Sequence, residues 1–360
     1  VKTDNPKCVA VFGIAGQSFL PQISDKLPGW EVVGWTNDQP EEDRDAIIQR
    51  CEVAVISADF ILTEGNFGAL LSAPNLKLML QPWVGTDWVD ANALPEGLKF
   101  CNATGHAAPM AEFVFNAMLE HKIGLSRLDK AIRAGDWFRG GRNRDPSSVR
   151  GDLIGSRIGI LGYGEIAQAV AHRAAAFGME VSAVARSKRE QTPAPLSWIG
   201  TRTDLERLCR ESDFLVITCD LNDETENMIN ADLFDIMQPN CFLVNVARGE
   251  VIEEQALFNA LKDNKIAGAS IDTWYRYPKD IQNPEPDPDR GGPFCGSKYD
   301  FFSLDNVLLS PHSAAHTLGA DRGRYNCITD SIADYAADRP IKRHVITGAG
   351  TSSGPVTRIT

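Results

Sequence analysis

The sequence predicts an α/β protein built from two doubly wound parallel sheets. Short apolar runs of strand length alternate with polar, helix-compatible stretches along almost the whole chain. The alternation is broken once by a long helical segment and a Gly/Arg/Ser-rich stretch, then resumes with a glycine-rich turn. With 360 residues, the chain is too long for one ordinary domain and about right for two.

The first set of strands reads "CVAVFG" (8–13), "EVVGWT" (31–36), "CEVAVIS" (51–57), "KLMLQP" (77–82) and "LKFCNAT" (98–104). Residues 108–136 carry apolar positions at helical spacing without an interior proline, which predicts one long helix, and 137–152 reads as a linker. The second set comprises "SRIGILG", "MEVSAVA", "DFLVITC" (213–219), "CFLVNV" (241–246), "IAGASID" (266–272) and "NVLLSP" (306–311), with helical patterns between them. One helical segment, 319–340, is left over, and a chain that left its first domain by a long helix is expected to return this one to it. The expected division is therefore 1–107 with 317–345 as one domain and 108–316 as the other. The Gly/Ser/Thr-rich tail 346–360 is expected to be mobile.

The net charge is −12, and no Lys/Arg-dense face is visible, so neither nucleic acid nor an anionic membrane surface is an expected partner. A small anionic ligand would need basic residues placed locally in a cleft. The apolar runs are far shorter than a membrane span, and "VKTDNPKCVAVFG" moves straight into a strand pattern, so no targeting segment is expected. The 8 cysteines are scattered without CxxC or metal-ligand spacing, mostly in apolar contexts, which fits a cytoplasmic protein with no metal site.

Gly162, Gly164 and Ala167 form G-x-G-x-x-A between the strand "IGILG" and an alanine-rich helix that opens with Glu165 and Ile166. The first glycine permits a tight turn, and the second lets a pyrophosphate approach the backbone. The small third residue lets the helix pack on the strand, with phosphates at the helix N-terminus. Strand, turn, helix and second strand fall in the order that dinucleotide binding requires. The next strand would end in an acid if the ligand were NAD. It ends in Ala185 instead, followed by Arg186, Ser187, Lys188 and Arg189. Without the acid nothing repels a 2′-phosphate and an arginine can pair with it, so NADP is expected, with NAD as the alternative.

Taken together, the motifs "VGTDWVD" (84–90), "MAEF" (110–113), "ILGYGEIA" (160–167), "MINADLFDIMQPNCFLVNVARGEVIEEQAL" (228–257), "AGASID" (267–272) and "SPHSAAHT" (310–317) resemble the D-2-hydroxyacid dehydrogenase family over nearly the whole chain. The resemblance implies a homodimer in which a Rossmann cofactor domain is inserted into a flavodoxin-like substrate domain. It also implies hydride transfer between nicotinamide and C2 of a small 2-hydroxy or 2-oxo acid. Arg248, after Ala247 and just past a strand end, would hold the substrate carboxylate and polarise the 2-oxo group. His312 would be the acid/base, a role suited to a side chain with an unperturbed pKa of about 6.5. Backbone amides at Val84 and Gly85 would form a second carboxylate clamp. Asp272 would lie near the nicotinamide carboxamide, with Ala247 also on the cofactor side. His121, His172 and His316 read as structural.

Two positions depart from the family pattern. After the aspartate the usual run is D-V-F, two variable residues and Glu-Pro, with the glutamate bonding to the catalytic histidine. Here Tyr277 precedes Pro278, so no carboxylate fills that slot and the His312 imidazolium is expected to be less stabilised than in relatives. His106 replaces a common pocket asparagine and is a candidate for a further polar group of the substrate. The segment between Pro278 and Leu304 is longer than usual, readable as a lid, a dimer contact or a solvated excursion. Two alternatives remain open: formate-type hydride abstraction, for which a weak histidine partner would be harmless, and a cofactor-sensing interaction protein with weak catalysis.

Overall fold

Every strand pattern of the sequence corresponds to a strand in the computed structural model, which describes residues 7–57, 59–60, 68–137, 150–278, 283–289, 291–343 and 345–351. The chain divides into two units, Val1–His106 with Thr317–Thr360, and Ala107–His316.

In the first unit, β1 (Cys8–Phe12), β2 (Glu31–Trp35), β3 (Val53–Ile56), β4 (Leu78–Leu80) and β5 (Lys99–Cys101) are parallel, and β13 (Val345–Thr347) joins β5 antiparallel. The sheet order is β13-β5-β4-β3-β1-β2. Two apolar clusters cover its faces, as near-continuous buried runs such as Val53–Ile56 require. One holds Phe12, Trp35, Phe60 and Phe100. The other packs Val9, Val11 and Leu78 against Tyr325, Ile328 and Ile332 of the helix Leu318–Ala336. Thr317 caps that helix by accepting the Ala320 amide. The helix left over in the sequence thus completes the first unit's core.

The second unit carries seven parallel strands in the order β12-β11-β10-β9-β6-β7-β8. They are β6 (Arg157–Leu161), β7 (Glu180–Val184), β8 (Trp198–Gly200), β9 (Phe214–Ile217), β10 (Phe242–Asn245), β11 (Gly268–Ile271) and β12 (Val307–Leu309). This is a doubly wound sheet whose order reverses at β6/β9, and ligands of such sheets bind beyond the carboxyl ends of the strands.

Two sequence expectations are corrected. The single helix over 108–136 is two, Ala107–Ile123 and Leu125–Arg133, because Gly124 adopts φ 64 and breaks the hydrogen-bond ladder. Residues 346–351 are not a mobile tail. Beyond the β13 pairing, the amides of Gly348, Ala349, Gly350 and Thr351 donate to Leu98, Ala91, Leu94 and Asn92 carbonyls. Over its described residues, the long connection 279–303 is exposed along much of its length but anchored to the unit's core. Asp287 (2% exposed) accepts the amides of Asp289 and Cys295, Arg276 pairs with Asp289 at 2.7 Å, and Cys295 and Phe301 are buried in the core beside Trp274. Residues 279–282 and 290 of that loop, 138–149 of the expected linker and 352–360 lie outside the described residues.

Candidate active site

The glycine turn after β6 is built for close approach. Gly162 has φ 92, and a Cβ there would stand 2.7 Å from the Cys219 backbone. The Thr218 hydroxyl locks the turn by donating to the Leu161 and Gly162 carbonyls at 3.2 and 3.1 Å. Gly164 differs. Its φ is −92, it caps the helix Glu165–Ala176 without a side-chain bond, and a Cβ on it would meet no atom within 4 Å. The helix N-terminus therefore faces open space, where backbone N–H groups and the macrodipole favour an anion. Ala167 is fully buried on the inner face of that helix, and Ile166 packs at the edge of the same cluster. Glu165 is exposed at the first helical position.

Ala185 is buried at the end of β7, its amide tied to the Gly200 carbonyl at 3.0 Å, while Arg186, Ser187, Lys188 and Arg189 are exposed. The Arg189 guanidinium lies 6.0 Å over the Tyr163 ring within the glycine turn, so a second cation stands next to the phosphate-binding backbone. These residues fit a dinucleotide with an additional phosphate: a glycine cradle, a free helix end and a basic run where an acid would discriminate against it.

The β10 turn carries Arg248. Asn245, 1% exposed, accepts the Ala247 amide at 3.0 Å and donates to the Arg248 carbonyl at 2.8 Å. Its side chain thus builds the turn, a role sequence reasoning missed. The available signal was a single polar residue inside the apolar run "CFLVNV". Gly249 follows because a Cβ there would lie 2.6 Å from the Trp274 carbonyl carbon.

His312 follows β12 with φ 57, a left-handed conformation that costs a non-glycine residue about 1–2 kcal/mol unless its surroundings impose it. They do. Asp272, 1% exposed, accepts from the Ser310 hydroxyl at 2.6 Å and from the Ser313 and Ala314 amides at 2.8 and 3.1 Å. Trp274 Nε1 donates to the Ser310 carbonyl at 2.8 Å. Asp272, expected beside the nicotinamide carboxamide, thus has both carboxylate oxygens engaged by the segment that bears His312.

Tyr277 lies next to His312, with ring centroids 5.5 Å apart and tilted by 42°. Its hydroxyl accepts the Trp274 amide at 3.1 Å. The ring is 46% exposed, yet desolvation at the hydroxyl end pushes the phenol up to about 12, against the lowering effect of the Trp274 amide and Arg248. Tyr277 is neutral across any working pH.

The remaining sequence candidates belong to the first unit. Carbonyls of the Trp83–Gly85 loop point inward: Val84 accepts from Asn102 at 2.8 Å, and Gly85 from Gln81 at 2.6 Å and Trp88 at 3.1 Å. Among the described residues no hydrogen bond uses the Val84 or Gly85 amide. His106 is buried, 6% exposed, at the start of the helix Ala107–Ile123.

His121 is structural: it stacks on Phe242 at 4.1 Å, and burial, with Lys122 adding to it, lowers its pKa to about 4. His172 and His316 are exposed. Among the described residues no group of three or more His, Cys, Asp or Glu could hold a metal ion, and no helix is long and apolar enough to cross a membrane.

Comparison with known proteins agrees with this arrangement. The family described as D-isomer specific 2-hydroxyacid dehydrogenase, NAD binding domain, matches residues 115–314. A glyoxylate reductase of Thermococcus onnurineus is 31% identical over 312 residues, covering 85% of this chain and 86% of the relative. A hydroxypyruvate reductase of Thermotoga maritima is 30% identical over 305 residues, 84% and 90% of the two chains. Among solved structures, an NADPH-dependent glyoxylate/hydroxypyruvate reductase from Sinorhizobium meliloti, in complex with NADP and sulfate, has the same fold, with TM-score 0.69 and 23% identity over 94% of this chain and 98% of that one. The matched span of the family, more than half of the chain, and the 30%-identical relatives that cover most of it establish that this protein belongs to the D-isomer-specific 2-hydroxyacid dehydrogenase family.

Proposed function

We propose that the protein is an NADP-dependent reductase of small 2-oxo acids of the glyoxylate and hydroxypyruvate class, with NAD as the weaker cofactor. The observation that carries this reading is the placement of the glycine turn, Arg248 and His312 after β6, β10 and β12 at the carboxyl edge of one parallel sheet. Gly162, Gly164, Glu165, Ile166 and Ala247 surround the dinucleotide, and Arg186, Ser187 and Lys188 receive its 2′-phosphate, with Arg189 adding charge. When bound, reduced nicotinamide supplies the hydride that adds to C2 of the oxo acid. The Arg248 guanidinium pairs with the substrate carboxylate and draws electron density toward the 2-oxo oxygen. His312 gives its proton to that oxygen as the C–O bond becomes single, and takes it back in the reverse direction. Asp272 acts by fixing the His312 segment. In the first unit, the Val84 and Gly85 amides suit a carboxylate and His106 a further hydroxyl or anionic group.

The same reading includes a homodimer in the cytoplasm. The helix Leu125–Arg133 buries none of its residues, and Leu125 and Ile132, seven residues apart on it, are exposed at 66% and 43%, apolar surface of the kind a second copy covers. The free cysteines support a reducing compartment. The deciding experiment is NADPH and NADH oxidation with a panel of 2-oxo acids, alongside NADP reduction by formate and light scattering for mass. Turnover of glyoxylate or hydroxypyruvate with NADPH preferred is the expected result; turnover of formate alone would replace this reading with formate-type hydride abstraction.

A further inference from the structure

Trp274 is 7% exposed and contacts the segments that carry Ser310, Tyr277 and Gly249. Its indole Nε1 donates to the Ser310 carbonyl at 2.8 Å, two residues before His312. Its amide donates to the Tyr277 hydroxyl at 3.1 Å, which leaves the Tyr277 ring 5.5 Å from the imidazole. Its own carbonyl group closes against Gly249, where a Cβ would stand 2.6 Å away, next to Arg248. The far side of the indole is fixed too. A Cβ on Gly296 would stand 2.8 Å from Trp274 Cγ, and the ring packs edge-on to Phe301 at 6.1 Å. An indole held on all sides has one orientation, and its N–H is the only part of it that reaches the His312 segment through a hydrogen bond.

We propose that Trp274 is the positioning residue for His312: its indole N–H holds the Ser310 carbonyl, and its amide holds Tyr277 against the imidazole. A histidine with φ 57 relaxes when its anchors are removed, and proton transfer is sensitive to such displacement: a shift of about 1 Å costs roughly 100-fold in rate. Asp272 restrains the segment at the Ser310 hydroxyl and at the Ser313 and Ala314 amides, the Ile271 carbonyl holds the Ser310 amide, and Trp274 holds the Ser310 carbonyl. A phenylalanine at position 274 would fill the same core but could not make that bond. The inference rests on the assignment of His312 as the proton donor.

The test compares three substitutions at position 274 in the full-length protein: Trp274→Phe, the sulfur isostere benzothienylalanine, which keeps the bicyclic shape without an N–H, and 5-fluorotryptophan, which keeps the N–H. The two proteins lacking the N–H should lose about 10- to 100-fold in kcat for 2-oxo-acid reduction, while KM stays within about threefold and the NADPH Kd within about twofold. The 5-fluorotryptophan protein should stay near wild type. Amide hydrogen exchange over 308–316 should speed up about tenfold in the N–H-lacking proteins alone. Wild-type kcat and exchange without the N–H would overturn the proposal, as would equal losses in all three proteins or a loss carried by cofactor affinity and melting temperature. The exchange arm needs no turnover. A wild-type protein inactive on every 2-oxo acid would therefore refute the functional reading while exchange still decides this one.

Discussion

Gly162 and Gly164 stand two residues apart in one motif, yet their backbones and surroundings differ, and alanine at each position separates the two tasks proposed for them. At Gly164 the backbone (φ −92, ψ −162) suits any residue, and the new methyl would meet no atom within 4 Å. Replacing an N-cap glycine costs a few tenths to about 1 kcal/mol, and lowering the freedom of the unfolded chain returns about 0.4–1 kcal/mol. The net change in stability should lie within about 0.5 kcal/mol. At Gly162 the φ of 92 penalises alanine by about 1–2 kcal/mol, and the methyl would press on the Cys219 backbone at 2.7 Å, adding about 1–3 kcal/mol of strain. Gly162→Ala should therefore destabilise the protein by about 2–5 kcal/mol.

Cofactor binding should show the opposite order per unit of stability. On the proposed function, a Gly164 methyl would occupy the space a pyrophosphate needs in order to reach the helix amides. Losing one or two charge-assisted hydrogen bonds of about 1.5–3 kcal/mol each weakens the NADPH Kd by at least about tenfold, and by at least about 100-fold if two are lost. Urea unfolding without cofactor and NADPH fluorescence titration measure the two quantities separately. If Gly164→Ala bound NADPH as wild type does, or unfolded as easily as Gly162→Ala, the assignment of this turn would be refuted.

Three further outcomes follow from the same geometry. Tyr277→Glu places a carboxylate beside His312 where a phenol neutral up to about 12 now stands, so the pH at which reduction fails on the alkaline side should rise by about 0.5–1 unit; a wild-type limb at or above that of the variant would contradict the reading. Ala185→Asp combined with Arg186→Ala should invert cofactor preference toward NADH, mainly through the Kd of NADPH rising about tenfold or more, read by comparing kcat/KM for the two cofactors. His121 titrates near 4 in the folded protein against about 6.5 unfolded, so its contribution is complete above pH 6.5 and is lost as the pH falls from there toward 4, up to about 2–3 kcal/mol in all. His121→Phe should flatten stability over that window in urea unfolding at stepped pH, and an unchanged slope would show that His121 is not the group responsible.

Much of this architecture was legible in the sequence because it is encoded locally. The strands are continuous apolar runs, and the glycine turn declares itself through its G-x-G spacing, with a backbone demand at Gly162 that only glycine meets. Helix continuity across Gly124 was misread because a glycine inside an amphipathic pattern costs only about 1 kcal/mol, while the left-handed φ of 64 that breaks the helix there is open to glycine without steric cost. The short strands Trp198–Gly200 and Val345–Thr347 were missed for a similar reason: three residues carry no period, and only the neighbouring strand makes them β. At the site, Arg248 and His312 stood out by residue type and by position after a strand. Asn245, the inward carboxylate of Asp272 and the Trp274 indole bond did not, because each depends on partners distant in sequence or on where a backbone turn points a carbonyl.

The central claim is that His312, held in a left-handed turn, donates the proton in an NADP-linked reduction of a 2-oxo acid. His312→Asn tests it directly, because asparagine tolerates that backbone conformation and keeps polarity while losing the acid. Steady-state NADPH oxidation with glyoxylate and hydroxypyruvate should show wild-type turnover and a loss of about 100- to 10,000-fold in kcat for the variant, with the NADPH Kd unchanged. A variant as active as wild type, or a wild-type protein that oxidises NADPH with no 2-oxo acid, would contradict it.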